Sequence, residues 1–307
     1  MKKCGHVAII GCPNVGKSTL LNYILQHKVS ITTRKPQTTR HRITGIKTSE
    51  DVQFIYIDTP GLHKIAPRAI NHFMNQQAES VINNVDVILF VVALNCYSKQ
   101  DQWILEKIKS TRTSVILTIN KVDQLKNRDN AQAFADKIIK NHQFSDVFLI
   151  SAKQGHCIAA LEDKIATLLP KSNYFLFDKN QLSDRSERYT VTEIIREKLM
   201  RTLGEEVPYQ LTVEMQSYYY NKTRNIFEIE AVILVERNGQ KAMIIGKKGQ
   251  KLKEIGTNAR HDIEKFLTKK IFLRLWVKIK EGWSDDIRAL RSLGYDDFNE
   301  KYVTNSS

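Results

Sequence analysis

Cysteine is scarce: four residues in 307, at Cys4, Cys12, Cys96 and Cys157. They are scattered, with no C-x-x-C pair and no histidine at ligand spacing, which excludes a disulfide scaffold and gives a zinc site no support. Reduced thiols of a cytosolic protein are the expectation. Long apolar runs are also lacking. The longest, Val87 to Leu94, has eight residues, against the ~20 that a membrane-spanning helix needs. Lys2 and Lys3 precede an apolar stretch that reaches only from Val7 to Ile10, so neither a signal peptide nor a transmembrane segment is expected. No internal repeat or low-complexity tract occurs.

What is present is an ordinary globular balance, 42% hydrophobic and 26% charged, which fits neither a disordered nor a fibrous chain. At ~150 residues per domain the length suggests two domains. The formal charge of +14 favours a polyanionic partner, nucleic acid or anionic membrane. It is unevenly spread: residues 237–280 hold 13 basic and 3 acidic side chains.

From Met1 to about Pro170, short Val- and Ile-rich runs (Val7–Ile10, Phe54–Ile57, Val87–Val92, Val115–Leu117, Val147–Ile150) alternate with stretches of helical periodicity. Runs apolar on both faces suit a mostly parallel, doubly wound sheet covered by helices, whose ligands bind beyond the carboxyl ends of its strands. Residues 171–188 lapse into mixed polar and aromatic composition and read as a linker. Beyond it the expected order is helix, strand, strand, two helices flanking Gly246 to Gly249, and a final strand Ile271 to Ile279. That is a separate α+β domain over 189–282, followed by a tail, 283–307.

Four motifs mark the first domain. Gly11-Cys12-Pro13-Asn14-Val15-Gly16-Lys17-Ser18-Thr19 follows a strand and opens a helix, the context that a phosphate-binding loop requires. Its glycines let backbone N–H groups face a phosphate, Lys17 supplies a point charge, and the Ser18 hydroxyl is a ligand for Mg²⁺. Asp58-Thr59-Pro60-Gly61 sets a carboxylate for Mg²⁺ at a strand end and a glycine N–H where a γ-phosphate would lie. Asn120-Lys121-Val122-Asp123 ends another strand, and the Asp123 carboxylate matches the N1–H and 2-amino donors of guanine, which adenine lacks. Ser151-Ala152-Lys153 follows, with the Ala152 N–H as a donor to the guanine O6. Between the first two motifs, the segment from Lys35 to Arg40 is where a switch loop belongs, and Thr39, ahead of Thr38, is the hydroxyl expected to complete Mg²⁺ coordination. After Gly61 stands Leu62, where many GTPases carry a water-orienting Gln; His63 is the alternative in view. Unaided turnover near ~10⁻⁴ s⁻¹ is the expectation.

In the second domain Ile245-Gly246-Lys247-Lys248-Gly249, with Lys251 and Lys253 on the helix that follows, has the form of a G-x-x-G loop that admits a nucleic-acid backbone, its lysines meeting phosphates. Tyr218-Tyr219-Tyr220 and Trp283 are offered as base-stacking faces, with strand packing as the alternative for the tyrosines.

In this order the motifs GCPNVGKS, DTPG, NKVD, SAK and IIGKKG, with KPQTTRHR and the tail EGWSDDIRALRSLGY, resemble the bacterial Era GTPase family over nearly the whole chain. The resemblance implies a P-loop GTPase domain followed by a type II KH domain, and Mg²⁺-dependent hydrolysis of GTP to GDP. It implies binding to the 3′ end of small-subunit (16S) ribosomal RNA and a role in 16S processing and small-subunit (30S) biogenesis. A cytoplasmic monomer with peripheral inner-membrane association is implied as well. Roles carry over to Gly11–Ser18 and Asp58–Leu62 at the phosphates, Asn120–Asp123 at the base, and Gly246–Gly249 at the RNA. Asn14 stands where relatives use K⁺ to stabilise the transition state, which with Lys17, Thr39 and Gly61 makes it a candidate for the catalytic set. The family commonly has Arg where this chain has Cys12, a position that contributes mainly backbone. Two rivals stay open on sequence alone: an RNA-binding module with a structural nucleotide site, and a membrane-surface GTPase.

Overall fold

The computed structural model describes residues 1–62, 64, 68–124, 129–140, 142–204 and 207–295; the His63 alternative lies outside them. The Val- and Ile-rich runs become strands because β-branched side chains fit a pleated surface buried on both sides. Strands β1 (Lys3–Ile10), β2 (Ile43–Thr48), β3 (Val52–Asp58), β4 (Val87–Ala93), β5 (Ser114–Asn120) and β6 (Asp146–Leu149) form one sheet in the order β2-β3-β1-β4-β5-β6. All pairs are parallel except β2 with β3. The helices are α1 (Lys17–Leu25), α2 (Ala69–Ile82), α3 (Lys99–Lys109), α4 (Asp129–Ile139) and α5 (Ile158–Leu168). Helix α3 starts at a capping box, Ser98 and Asp101 each satisfying the other's backbone N–H.

Strand β2 has no counterpart among the sequence-based strands. Gly45 breaks its apolar alternation, and it pairs antiparallel on the outside of β3. The connector 171–188 is not a slack tether either. It runs beside β2, where Ile46 N–H donates to the Leu182 carbonyl (2.9 Å) and Ser183 Oγ donates to the Thr44 carbonyl (2.7 Å). The buried Gln53 Oε1 accepts from Leu176 and Phe177 N–H. The sheet edge is thereby covered rather than left as a template for another chain.

The second unit is α6 (Glu187–Thr202), β7 (Leu211–Asn221), β8 (Ile226–Val235), α7 (Asn238–Ile245), α8 (Gln250–Leu267) and β9 (Ile271–Ile279), with the sheet order β7-β8-β9. In α8 the apolar residues Ile255, Ala259, Ile263 and Leu267 recur every fourth position and bury one stripe against the sheet. Residues 283–295 form a packed element. Trp283 is fully buried with Ile70, Ala289, Leu290 and Tyr295, and Asp286 caps the short helix α9 (Ile287–Ser292). This corrects Trp283 as a base-stacking face: its ring joins the two units.

Candidate functional site

The carboxyl ends of β1, β3 and β5 and the residues just past β6 meet at one edge of the sheet, so the four motifs converge although they span about 140 residues of chain. A cleft of about 290 Å³ is lined by Pro13, Asn14, Gly16 to Thr19, residues 31–34 and 37–39, Gly61 and Lys121. At its floor Lys17 is buried and its ammonium donates to the carbonyls of Gly11 (3.0 Å) and Cys12 (2.9 Å). Burial pushes its pKa down, with the Asp58 charge opposing.

Beside Lys17 three oxygens converge. Ser18 Oγ donates to Asp58 Oδ2 (2.6 Å), and Thr39 Oγ1 lies 2.9 Å from Ser18 Oγ and 3.5 Å from Asp58 Oδ2. Ser30 Oγ donates to the same carboxylate oxygen at 3.0 Å. Burial pushes the Asp58 carboxyl above its ordinary range, and Lys17 and the three hydroxyls act against that. Its other oxygen, Oδ1, is buried without a hydrogen-bond partner, a costly arrangement that a cation would relieve. Two hydroxyls and a carboxylate are the hard oxygen set that Mg²⁺ takes, so the residues present fit that ion. Thr38 also lines the cleft, but its hydroxyl donates to the Lys35 carbonyl and its own carbonyl accepts from Arg196.

At the far end Asn120 ties the loops together: Nδ2 donates to the Val15 carbonyl (2.8 Å) and Oδ1 accepts from Ala152 N–H (2.9 Å) and Lys121 N–H (2.8 Å). Lys121 Nζ donates to the Asn14 carbonyl (2.7 Å), and the Asn14 amide donates to the Arg34 carbonyl (2.9 Å), linking the phosphate loop to segment 31–39. Val122 opens a short 3₁₀ turn, Asp123 Oδ1 accepts from Ser151 Oγ (2.6 Å), and Lys153 is exposed. Gly61 approaches the phosphate loop so closely that a Cβ there would fall 2.8 Å from Pro13 Cγ.

Some motif side chains turn away from the cleft. Thr59 is buried and donates to the Ile9 carbonyl (2.9 Å), Leu62 is wholly inside the core, and Pro60 is buried. Contacts from these three to a phosphate are therefore limited to backbone. The Cys12 thiol is also buried, its pKa pushed up by burial and by the neighbouring Asp101.

At the basic loop, α7 ends on Ile245 and the chain reverses through Gly246 (φ 70°), Lys248 (φ 50°) and Gly249 (φ 76°). Three residues of positive φ in four make so sharp a turn that glycine is needed at its start, where a Cβ would meet Lys251 Cβ at 2.7 Å. Lys247, Lys248 and Lys253 are exposed and Lys251 half-buried.

Sequence reasoning missed the residues that join the two sites. Arg40, next to Thr39, is buried and donates to the carbonyls of Leu211 (2.7 Å) and Pro208 (2.9 Å) in the second unit. Glu197 of α6 accepts from Thr32 N–H (3.1 Å) and Lys28 Nζ (2.5 Å). No local signal marked them: charged side chains are mostly exposed, so KPQTTRHR and the charges of α6 read as solvated surface.

A family described as a 50S ribosome-binding GTPase matches residues 6–121, and a KH domain family matches residues 206–284. GTPase Era of Histophilus somni is 52% identical over 96% of this chain and 97% of its own length. The chain belongs to the Era GTPase family. GTPase Era of Pseudomonas putida is 48% identical over 96% of the chain and 97% of its own. The Era structure from Aquifex aeolicus, a point variant bound to GDP and AlF₄⁻, superposes with a TM-score of 0.92 at 37% identity, covering 95% of this chain and 99% of that one. An Era structure in complex with MgGDPNP and nucleotides 1506–1542 of 16S ribosomal RNA gives 0.93, also at 37%, covering 96% and 99%. The Era-family fold is thus a P-loop GTPase domain with a mostly parallel sheet, then a KH domain, and the chain is a GTP hydrolase. No helix among its described residues is long and apolar enough to cross a membrane.

Proposed function

We propose that this chain is a Mg²⁺-dependent GTP switch that binds the 3′ segment of 16S ribosomal RNA and acts in 16S processing and small-subunit biogenesis. The observation that carries the reading is the meeting of Ser18 and Thr39 on one oxygen of Asp58 whose other oxygen is buried without a partner, with Thr39 flanked by Thr38 and Arg40, which bond the second unit.

In this proposal Gly11 to Thr19 cradle the phosphates, with Lys17 at the β- and γ-oxygens. Ser18, Thr39 and Asp58 hold Mg²⁺, which when bound offsets charge building on the phosphate oxygens. Gly61 N–H meets the γ-phosphate. Asp123 reads the guanine N1–H and 2-amino group, and Ala152 N–H, shared with Asn120, its O6. The buried Leu62 cannot orient water, so the transition state draws on Lys17, Gly61 N–H and, with K⁺, Asn14. Loss of the γ-phosphate releases Thr39 and with it the contacts of Thr38 and Arg40 to the KH unit.

The proposal also takes 1–170, 189–282 and the connector 171–188 as the functional units, and Ile245 to Gly249 with Lys251 and Lys253 as the RNA clamp. The setting proposed is a cytoplasmic monomer with peripheral inner-membrane association. The test is phosphate release from GTP with and without RNA nucleotides 1506–1542, in K⁺ and in Na⁺. RNA-stimulated, K⁺-favoured release is expected; no hydrolysis under any of these conditions overturns the switch and leaves an RNA-binding module.

A further inference from the structure

We propose that the outward face of β9 is a stacking platform for unpaired bases of a single-stranded RNA, a second contact in addition to the Gly246 loop; it rests on the RNA-binding reading above. Along β9 the side chains alternate. Ile271 and Val277 are buried, while Phe272, Arg274, Trp276 and Lys278 are exposed. Phe272 and Trp276 stay 41% and 38% accessible, which is unusual for large rings on a strand with a packed core behind it.

The row is organised. The Arg274 guanidinium carbon lies 5.2 Å from the Phe272 ring centroid and 5.7 Å from that of Trp276, and Arg274 is itself held by Glu230 at 3.0 Å. Three planar groups therefore stand in line, on strand positions whose backbones are ~6.6–6.8 Å apart. That is about twice the ~3.4 Å separation of stacked bases. Because the cation restrains both rings, little side-chain freedom is left to lose on binding.

Charge selects the occupant. From Lys269 to Lys280 there are five cations, Lys269, Lys270, Arg274, Lys278 and Lys280, and no carboxylate. The carboxylates on the adjacent strand β8 are already engaged, Glu230 by Arg274 and Glu228 by Tyr219, Asn221 and Arg224; Glu214 stands on the distant strand β7. Two rings separated by a cation do not make the contiguous apolar patch that a protein partner would bury, whereas rings and guanidinium planes framed by lysines are what single-stranded nucleic acid uses. Access fits as well. Among the described residues no strand pairs with the outer edge of β9, and α8, which starts from the Gly246 loop, packs on its inner face, with Leu275 Cδ1 3.6 Å from where a Cβ on Gly256 would lie. A strand leaving the lysines of the loop can cross that edge onto the outer face.

The experiment uses the full chain with Mg²⁺ and a non-hydrolysable GTP analogue, and fluorescein-labelled unstructured RNAs of about five and about fourteen nucleotides. Affinities are read by anisotropy for wild type, Phe272→Ser/Trp276→Ser, Arg274→Gln and Gly246→Asp, with thermal midpoints of each. The ring variant should bind the longer RNA at least about tenfold more weakly and the shorter one as wild type does, with Arg274→Gln in between; Gly246→Asp should weaken both. The longer RNA should also quench tryptophan emission in wild type and not in Trp276→Phe. Unchanged affinity of both the ring variant and Arg274→Gln for the longer RNA, while Gly246→Asp loses it, overturns the platform and leaves the RNA-binding reading intact. Failure of wild type to bind either RNA overturns both.

Discussion

Arg196 of helix α6 donates a guanidinium hydrogen bond to the carbonyl of Thr38, the residue before the hydroxyl that faces Asp58. The same guanidinium is paired with Glu193 through Nε (2.7 Å) and Nη2 (2.6 Å). A state of the magnesium site and a position of the KH unit are therefore two ends of one short path.

Arg196→Met alone should cost about 3 kcal/mol of stability, because it strips the largely buried Glu193 carboxylate of its two hydrogen bonds. Glu193→Leu/Arg196→Met should regain most of that and still lose the difference in RNA affinity between the GDP and GTP-analogue forms. Burial pushes the Glu193 carboxyl up, but the Arg196 charge and its hydrogen bonds more than offset this and hold it below the ordinary value. The pair's contribution is thus full above about pH 4.3 and is lost as pH falls through the lower folded-state value. Thermal melts across pH, and RNA titrations in both nucleotide states, check this.

Asp58 has the opposite sign. Its carboxyl is raised by burial, so the folded chain holds that proton more tightly than the unfolded one, and the metal-free protein loses stability as pH climbs from about 3.9 through the raised value. Asp58→Asn should abolish Mg²⁺-dependent hydrolysis while leaving the melting temperature in EDTA at pH 7 equal to or above that of wild type. A melting temperature several degrees lower would contradict it.

Leu62→Gln should not supply a water-orienting group. The side chain of position 62 lies in the core at zero exposure, so the variant buries an amide at a cost of about 1–3 kcal/mol and hydrolyses GTP no faster. Single-turnover phosphate release together with a denaturant melt would settle both halves.

Asp123→Asn exchanges a carboxylate that accepts two donors for an amide that presents one donor and one acceptor. GTP affinity should fall by about a hundredfold or more, and xanthosine triphosphate, with a carbonyl in place of the 2-amino group, should become the better ligand. Competition binding with the two triphosphates is the measurement.

Trp283→Ala should remove about 3–5 kcal/mol, more than a change in an unpacked tail would, and it should loosen the amino end of α2, where Ala69 N–H donates to Asp285 Oδ1 (3.1 Å) and Ile70 N–H to the Ser284 carbonyl. Hydrogen exchange at Ala69 and Ile70 would report it.

The parallel strands and the motifs at their ends were legible in the sequence because each rests on local chemistry: β-branched runs, a Gly-rich turn, a carboxylate at a strand end. Strand β2 was not, since Gly45 interrupts its pattern and its pairing depends on β3. Nor was the burial of Arg40, Arg196 and Glu197, whose partners lie some 165 residues away in sequence and which read locally as surface charge. Trp283 was misjudged for a related reason: an aromatic among acidic and polar neighbours looks exposed until the helix α2 that covers it is in place.

The connector between the halves is stitched to β2 through Leu182 and Ser183 and pinned by Gln53. Its length therefore cannot be spent on wide excursions. The connector is moored along the sheet edge, so a protease seeking a cut between the halves should find little loose chain to enter.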